Sequence, residues 1–261
     1  MDDPAAMLAL ILAALLAPGA YSPIGADPSP VPETARQMLL VTTPSWSSTS
    51  GTLQRYSRDG ERWASVGDPV EVVVGRSGLG WGVGLHDAAL LDGPTKAEGD
   101  GRAPAGVFRL SAAFGYADAE PTGLPYVPTP GLHCVDDRAS ASYNLVRDVP
   151  PGFDWDSHET MRRRDGLYRI GVIVAHNGPG VDASLLPSPP TTATAPTPGA
   201  GSCIFLHVWR GPGTSTAGCT AMRDPALAEV MAWLDAEADP VLVQLPDSVA
   251  EDVRSEWGLP G

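Results

Sequence analysis

The chain has 261 residues and a formal net charge of −14, which excludes a role on nucleic acid that needs a basic face, and one steered by anionic lipid. Hydrophobic residues make up 43% and charged residues 18%, the balance of a globular chain. With 29 glycines and 27 prolines, it is turn-rich and fits a mainly β fold.

Met1 to Ala26 reads as an export signal. Its apolar core, Leu8 to Leu16, is followed by Ala17-Pro18-Gly19-Ala20, and is too short to span a bilayer as a stable helix. The segment before it carries Asp2 and Asp3 rather than Lys or Arg. Residues 27–36 form a Pro-rich spacer. The folded region is expected over 37–246, beginning with a strand at Gln37. Thr52 to Ser57 and Glu61 to Ser65 predict a hairpin around Asp59-Gly60, the strongest short hairpin signal. Pro69 to Val74 predicts a further antiparallel strand. Gly75 to His86 carries five glycines without the Gly-Lys-Ser/Thr of a phosphate loop, so it predicts backbone turns near a site. Lys96 to Arg102 predicts a charged, solvated loop leading to a strand at Gly106 to Leu110, with Pro104 fixing φ before it. The next stretches, Gly131 to Leu145 and Asp154 to Tyr168, show no regular period. Asp136, Asp137, His133 and His158 are expected to be loop or capping residues.

Leu167 to Ala175 predicts a strand. Residues 181–200 are rich in Pro, Thr, Ser and Ala, cannot bury a core, and predict a disordered insertion. Cys203 to Trp209 predicts a strand with Cys203, Phe205, His207 and Trp209 on one face, and Ile204, Leu206 and Val208 on the core side. Twelve positions after His207 comes Cys219, flanked by Gly218 in a turn. The residues after it read as a helix, with Asp224 as N-cap, Pro225 in the first turn, and Leu227, Val230, Met231 and Leu234 on one face. Pro240 to Leu245 predicts a last strand, and residues 247–261 a polar tail with a short helix.

A thiol at its free pKa of about 8.5 is mostly protonated at neutral pH, and becomes a nucleophile beside a base. His207 on a rigid strand and Cys219 in a glycine-flanked turn supply that pair, and the backbone N–H groups of Gly218 and Cys219 are candidate oxyanion donors. Zinc is the competing reading, with Cys203, His207, Cys219, His133 and Cys134 as ligands. No C-x-x-C knuckle is present, however, and Cys203 and His207 lie roughly 13 Å apart along a strand. No metal or organic cofactor is therefore expected. Three cysteines permit a Cys134–Cys203 disulfide that leaves Cys219 reactive, or three free thiols; spacing does not choose.

His207 with Thr216-Ala217-Gly218-Cys219 resembles the signature of the L,D-transpeptidase catalytic-domain family, often called YkuD-like: a strand His followed by Ser/Thr-x-Gly-Cys. Asp100, Gly101, Pro104, Gly106 and Phe108 match its D-G-x-x-P-x-G-x-F element, and Tyr143-Asn144 and Trp155 resemble a branch with short His–Cys spacing. The resemblance implies a β-sandwich or barrel catalytic domain with few short helices and long loops. It further implies an exported cysteine acyltransferase acting on peptidoglycan stem peptides, outside the membrane in its mature form. Cys219 would be the nucleophile and His207 the general base and acid. His86, Asn177, Arg210 and Thr216 are candidate substrate contacts. A hydrolase resolving the same thioester with water is the alternative, and a wall-binding module the non-enzymatic one. The module would carry an inert Cys219, whereas a resting thiolate would alkylate quickly at neutral pH.

Overall fold

The computed structural model describes residues 29–60, 62–88, 91–187 and 194–261; the expected export segment lies outside them. The strands are β1 (Gln37–Thr43), β2 (Ser50–Asp59), β3 (Arg62–Val73), β4 (Leu79–Trp81), β5 (Ala103–Gly115), β6 (Tyr126–Pro128) and β7 (His133–Val135). They continue with β8 (Val146–Arg147), β9 (His158–Thr160), β10 (Ile170–Val174), β11 (Phe205–Val208) and β12 (Thr220–Met222). Helix α1 (Asp224–Trp233), β13 (Val241–Pro246) and α2 (Asp247–Val253) complete the chain.

The ring β10-β11-β12-β3-β2-β1-β13-β5 closes into a barrel because β5 also pairs with β10. The long strand β5 makes this possible. Its start pairs with β4, its middle with β13 and its end with β10. Gly106 lies at φ +129, and a Cβ there would meet the His86 ring at 1.8 Å, so only glycine lets that ring pack against the strand. A separate sheet, β8-β7-β9, lies beside the barrel.

Every strand of the ring contributes to one apolar core with Leu227, Val230 and Met231 of α1. Leu39 and Val41 of β1 point into it, while Met38 and Leu40 pack outward with α2 and Trp257. Both faces of β1 are thus covered, as its unbroken apolar run suggests.

The hairpin forms where expected, with Asp59 opposite Arg62 and Gly60 at φ +61. Pro69 to Val74 does not start a new strand. It continues β3 across a bulge, where Gly67 takes φ +65 and the Gln54 amide donates to Val66 O (3.1 Å) and Gly67 O (3.2 Å). The side chain satisfies the carbonyls the bulge exposes, so the ladder resumes without a turn.

Asp224 is inside α1 rather than its N-cap; Arg223 takes that position without a side-chain cap, because the Asp224 carboxylate pairs with Arg169. Residues 247–261 are not simply a polar tail: α2 forms, and Val253, Trp257 and Leu259 are buried. The insertion after residue 180 is pinned at both described ends. Val181 and Leu186 are buried, and Thr197 exchanges hydrogen bonds with the Asn177 side chain at 2.8 and 2.9 Å. Among the described residues, no helix is long and apolar enough to cross a membrane.

Candidate active site

The His–Cys block forms a parallel strand pair on the barrel. His207 in β11 sits opposite Ala221 in β12, and Cys219 immediately precedes β12. The expected direct passage from Cys219 into a helix is corrected: β12 intervenes, held between β11 and β3, so Cys219 does not stand at the start of α1. Side-chain alternation holds as expected. Ile204 and Leu206 join the barrel core, whereas Phe205 belongs to an outer cluster with Cys203, Cys219 and Tyr168.

The thiol is held by backbone. Phe205 N–H donates to Cys219 Sγ at 3.4 Å, and the S–H donates to Cys203 O at 3.4 Å. Cys203 takes φ +56 and is bridged to Cys134 of β7; its N–H donates to Asn144 Oδ1 at 2.9 Å. The disulfide withdraws two cysteines from the zinc alternative, leaving Cys219 as the free thiol.

Thr216 clamps the turn, its hydroxyl donating to Cys219 O at 2.6 Å and accepting from Gly218 N–H at 3.1 Å. Gly75 forms a bridge with Thr216, with Thr216 N–H on Val74 O and Arg76 N–H on Thr216 O, both at 2.9 Å. The start of the glycine-rich stretch therefore grips the cysteine turn. This also corrects one sequence assignment: Gly218 N–H is engaged by Thr216, so it does not point at a developing oxyanion. Thr216 itself lines the cavity while its hydroxyl clamps the turn.

His207 is buried, with Nδ1 2.7 Å from Val208 O. A backbone carbonyl accepts the Nδ1 proton, so Nε2 carries the lone pair, and this carbonyl orients the ring. The Tyr168 ring meets His207 edge-on at 5.2 Å, and its hydroxyl donates to Glu159 Oε2 at 2.6 Å. Cys219, His207, Tyr168, Glu159, Arg163 and Lys96 all line one cavity of about 440 Å³.

Lys96 is not solvated. Its side chain is 3% exposed, and Nζ bonds Asp100 Oδ1 at 2.9 Å and Ala97 O at 3.0 Å. Burial alone would raise the Asp100 carboxyl, but the Arg102 and Ala97 N–H groups and Lys96 hold it below its ordinary value. The loop curls inward because Asp100 collects these donors. Arg210 stays on the cavity wall, exposed, 3.6 Å from Asp165. Asp165 also holds Arg163 in a two-point pair at 2.9 and 2.7 Å.

Two expected substrate contacts lie elsewhere. His86 is buried among Trp81, Phe108 and Trp257, and its Nδ1 accepts from Val107 N–H at 3.2 Å. Asn177 is buried too, and its amide ties Thr197 O and Gly201 O at 2.9 and 3.0 Å. Both are scaffold. Asp137 is a turn residue as expected, accepting from Ala139 and Asp156 N–H groups at 2.9 and 2.8 Å. His133 and His158 face each other in the small sheet, ring centroids 4.3 Å apart. Sequence reading missed Tyr168, Glu159 and Arg163. The one available signal was the charge density of Glu159 to Asp165, in a stretch without period.

Burial sets the resting charge state. It pushes the Cys219 thiol up to about 12, with the Glu159 carboxylate adding to the rise. It also lowers His207 to about 4, against the Val208 hydrogen bond. The pair rests as neutral thiol and neutral imidazole. Fast alkylation at neutral pH is therefore no mark of function in this chain. In the free protein, iodoacetamide labelling of Cys219 should be slow at pH 7 and climb with pH through at least pH 10, as more thiolate forms. A rate that levels off below pH 8 would contradict a neutral resting thiol.

His207 on β11 and Cys219, just before the adjacent β12, thus open into one cavity. The YkuD family, described as the L,D-transpeptidase catalytic domain, matches residues 46–243, and the chain belongs to that family. Comparison with curated proteins and with solved structures finds no match.

Proposed function

We propose that the protein is an exported L,D-transpeptidase acting on peptidoglycan stem peptides. Residues 1–26 direct export, 27–36 act as a spacer, 37–246 form the catalytic domain and 247–261 follow it. The observation that supports this most is the opening of Cys219 and His207 into one cavity, with the Nδ1 proton of His207 committed to a backbone carbonyl. His207 Nε2 takes the thiol proton as sulfur attacks the donor carbonyl, so the charged pair arises only with substrate bound. The terminal D-alanine leaves with that proton, and a thioester remains on Cys219. An amine acceptor then displaces the sulfur. With Gly218 N–H engaged by Thr216, the Cys219 N–H is the nearer candidate for the oxyanion. On the wall Arg76, Lys96, Arg163 and Arg210 outnumber Glu98 and Glu159 in a chain of charge −14, which suits a donor carrying free carboxylates.

Turnover with a disaccharide-tetrapeptide, with and without an added amine acceptor, tests the reading. Released D-alanine together with an amide-linked product is expected. D-alanine with the hydrolysed tripeptide alone, even when acceptor is abundant, would favour a hydrolase.

A further inference from the structure

Glu159 is unused by the acylation step, and its position works against that step. Strand β9 sets it opposite Cys134, the residue bridged to Cys203, whose carbonyl holds the Cys219 thiol. One carboxylate oxygen takes the Tyr168 hydroxyl. Among the described residues no hydrogen bond reaches the other, and Glu159 lines the cavity. The other acid on the wall, Glu98, holds two hydroxyls, those of Tyr143 and Ser202, on its Oε2, each at 2.6 Å, where Glu159 holds one. A negative charge beside a nucleophilic sulfur opposes the thiolate, so Glu159 is placed for something that enters after the thiol has been acylated.

We propose that Glu159 is the receiving group for the acceptor's ammonium, and directs the acyl-enzyme toward a cationic primary amine rather than water. This rests on the acyl-transfer reading above. An ammonium acceptor loses two protons in becoming an amide N–H. Glu159 takes the first, freeing the nitrogen lone pair. The C–N bond forms at the thioester carbonyl while His207 Nε2 takes the second proton. The C–S bond breaks, the sulfur recovers the proton from the imidazolium, and Glu159 returns its own to solvent. Nothing else is consumed. Burial raises the Glu159 carboxyl, as do Asp136 and Glu98, against the Tyr168 hydrogen bond and Arg163, which makes it a better acceptor for that first proton.

The test uses Glu159→Gln, which keeps an acceptor for Tyr168 and removes the charge. The acyl-enzyme is formed with a tetrapeptide donor, then resolved with Nα-acetyl-lysine amide, a cation at pH 7, or with hydroxylamine, which is uncharged there. Acylation should proceed in the variant. Resolution by the lysine derivative should fall roughly a hundredfold, and resolution by hydroxylamine should be unchanged. Equal losses with both nucleophiles, or none with either, would overturn the proposal. The wild-type enzyme gives a second readout independent of the variant's folding. The lysine derivative should resolve it saturably and hydroxylamine in linear proportion to concentration; linear dependence on both would count against an ammonium site. If the wild type forms no acyl-enzyme at all, the acyl-transfer reading itself fails, and this proposal with it.

Discussion

Replacing His207 with Ala is expected to lower the rate of acyl-enzyme formation by about 10³-fold or more, with little change in donor affinity. The ratio follows from the resting state. With the thiol pushed up to about 12, almost no thiolate exists at pH 7, so attack depends on a base that takes the proton during the reaction. His207→Gln should be as inactive, because the amide presents a hydrogen-bonding group but no basic nitrogen. Burial also sets the acid limb. The wild-type rate should fall only as pH approaches about 4, where His207 titrates, rather than near the 6.5 of a free imidazole. A limb near 6.5 would show that His207 is not held in this buried, neutral form. Stability should follow the same groups. His207 and His176, held near 4 and 3 by burial, stay neutral in the folded state while the unfolded chain binds protons below about pH 6.5. The stability they confer is thus fully present above pH 6.5 and declines as pH falls toward 4, by at most about 1.4 kcal/mol per pH unit per histidine. Urea denaturation at pH 7, 5.5 and 4.5 measures the decline.

The second large effect belongs to the Cys134–Cys203 bridge. Cys134→Ala should cost about 4 kcal/mol of folding stability, the chain-entropy value for a closed loop of this length, given a sequence separation of 69. It should also slow acylation, because the bridge fixes a residue at φ +56 whose carbonyl accepts the Cys219 thiol. Dithiothreitol should reproduce both losses in the wild type and add nothing to the variant. Wild-type protein that keeps its urea midpoint and its acylation rate after full reduction would refute this role.

The parts legible in sequence are those that local pattern decides. Strand alternation placed Ile204 and Leu206 inward and His207 outward, Asp59-Gly60 marked the hairpin, and the apolar period of Leu227, Val230 and Met231 marked the buried side of α1. That His207 and Cys219 would come near one another was legible because they lie close in the chain, one on β11 and the other just before the adjacent β12. The rest of the cavity was not, because its wall is assembled by contacts distant in sequence. Glu159 and Tyr168 reach it only once β9 pairs with β7 and β10 closes the barrel against β5. Lys96 enters because Asp100 folds its loop inward. The same logic explains the misplacement of His86 and Asn177. A polar residue beside glycines reads alike whether it faces substrate or plugs backbone, and here Val107 and Thr197 supply the backbone partners. Asp224 was misread as a cap because its pull toward Arg169 crosses 55 residues.

The most direct measurement is the intact mass of the protein after incubation with a disaccharide-tetrapeptide and an acid quench, with peptide mapping of the adduct. A mass gain equal to the donor less D-alanine is expected, located on the peptide bearing Cys219 and missing from Cys219→Ala. Absence of any adduct in the wild type, or one that persists in Cys219→Ala, would contradict catalysis through a Cys219 thioester.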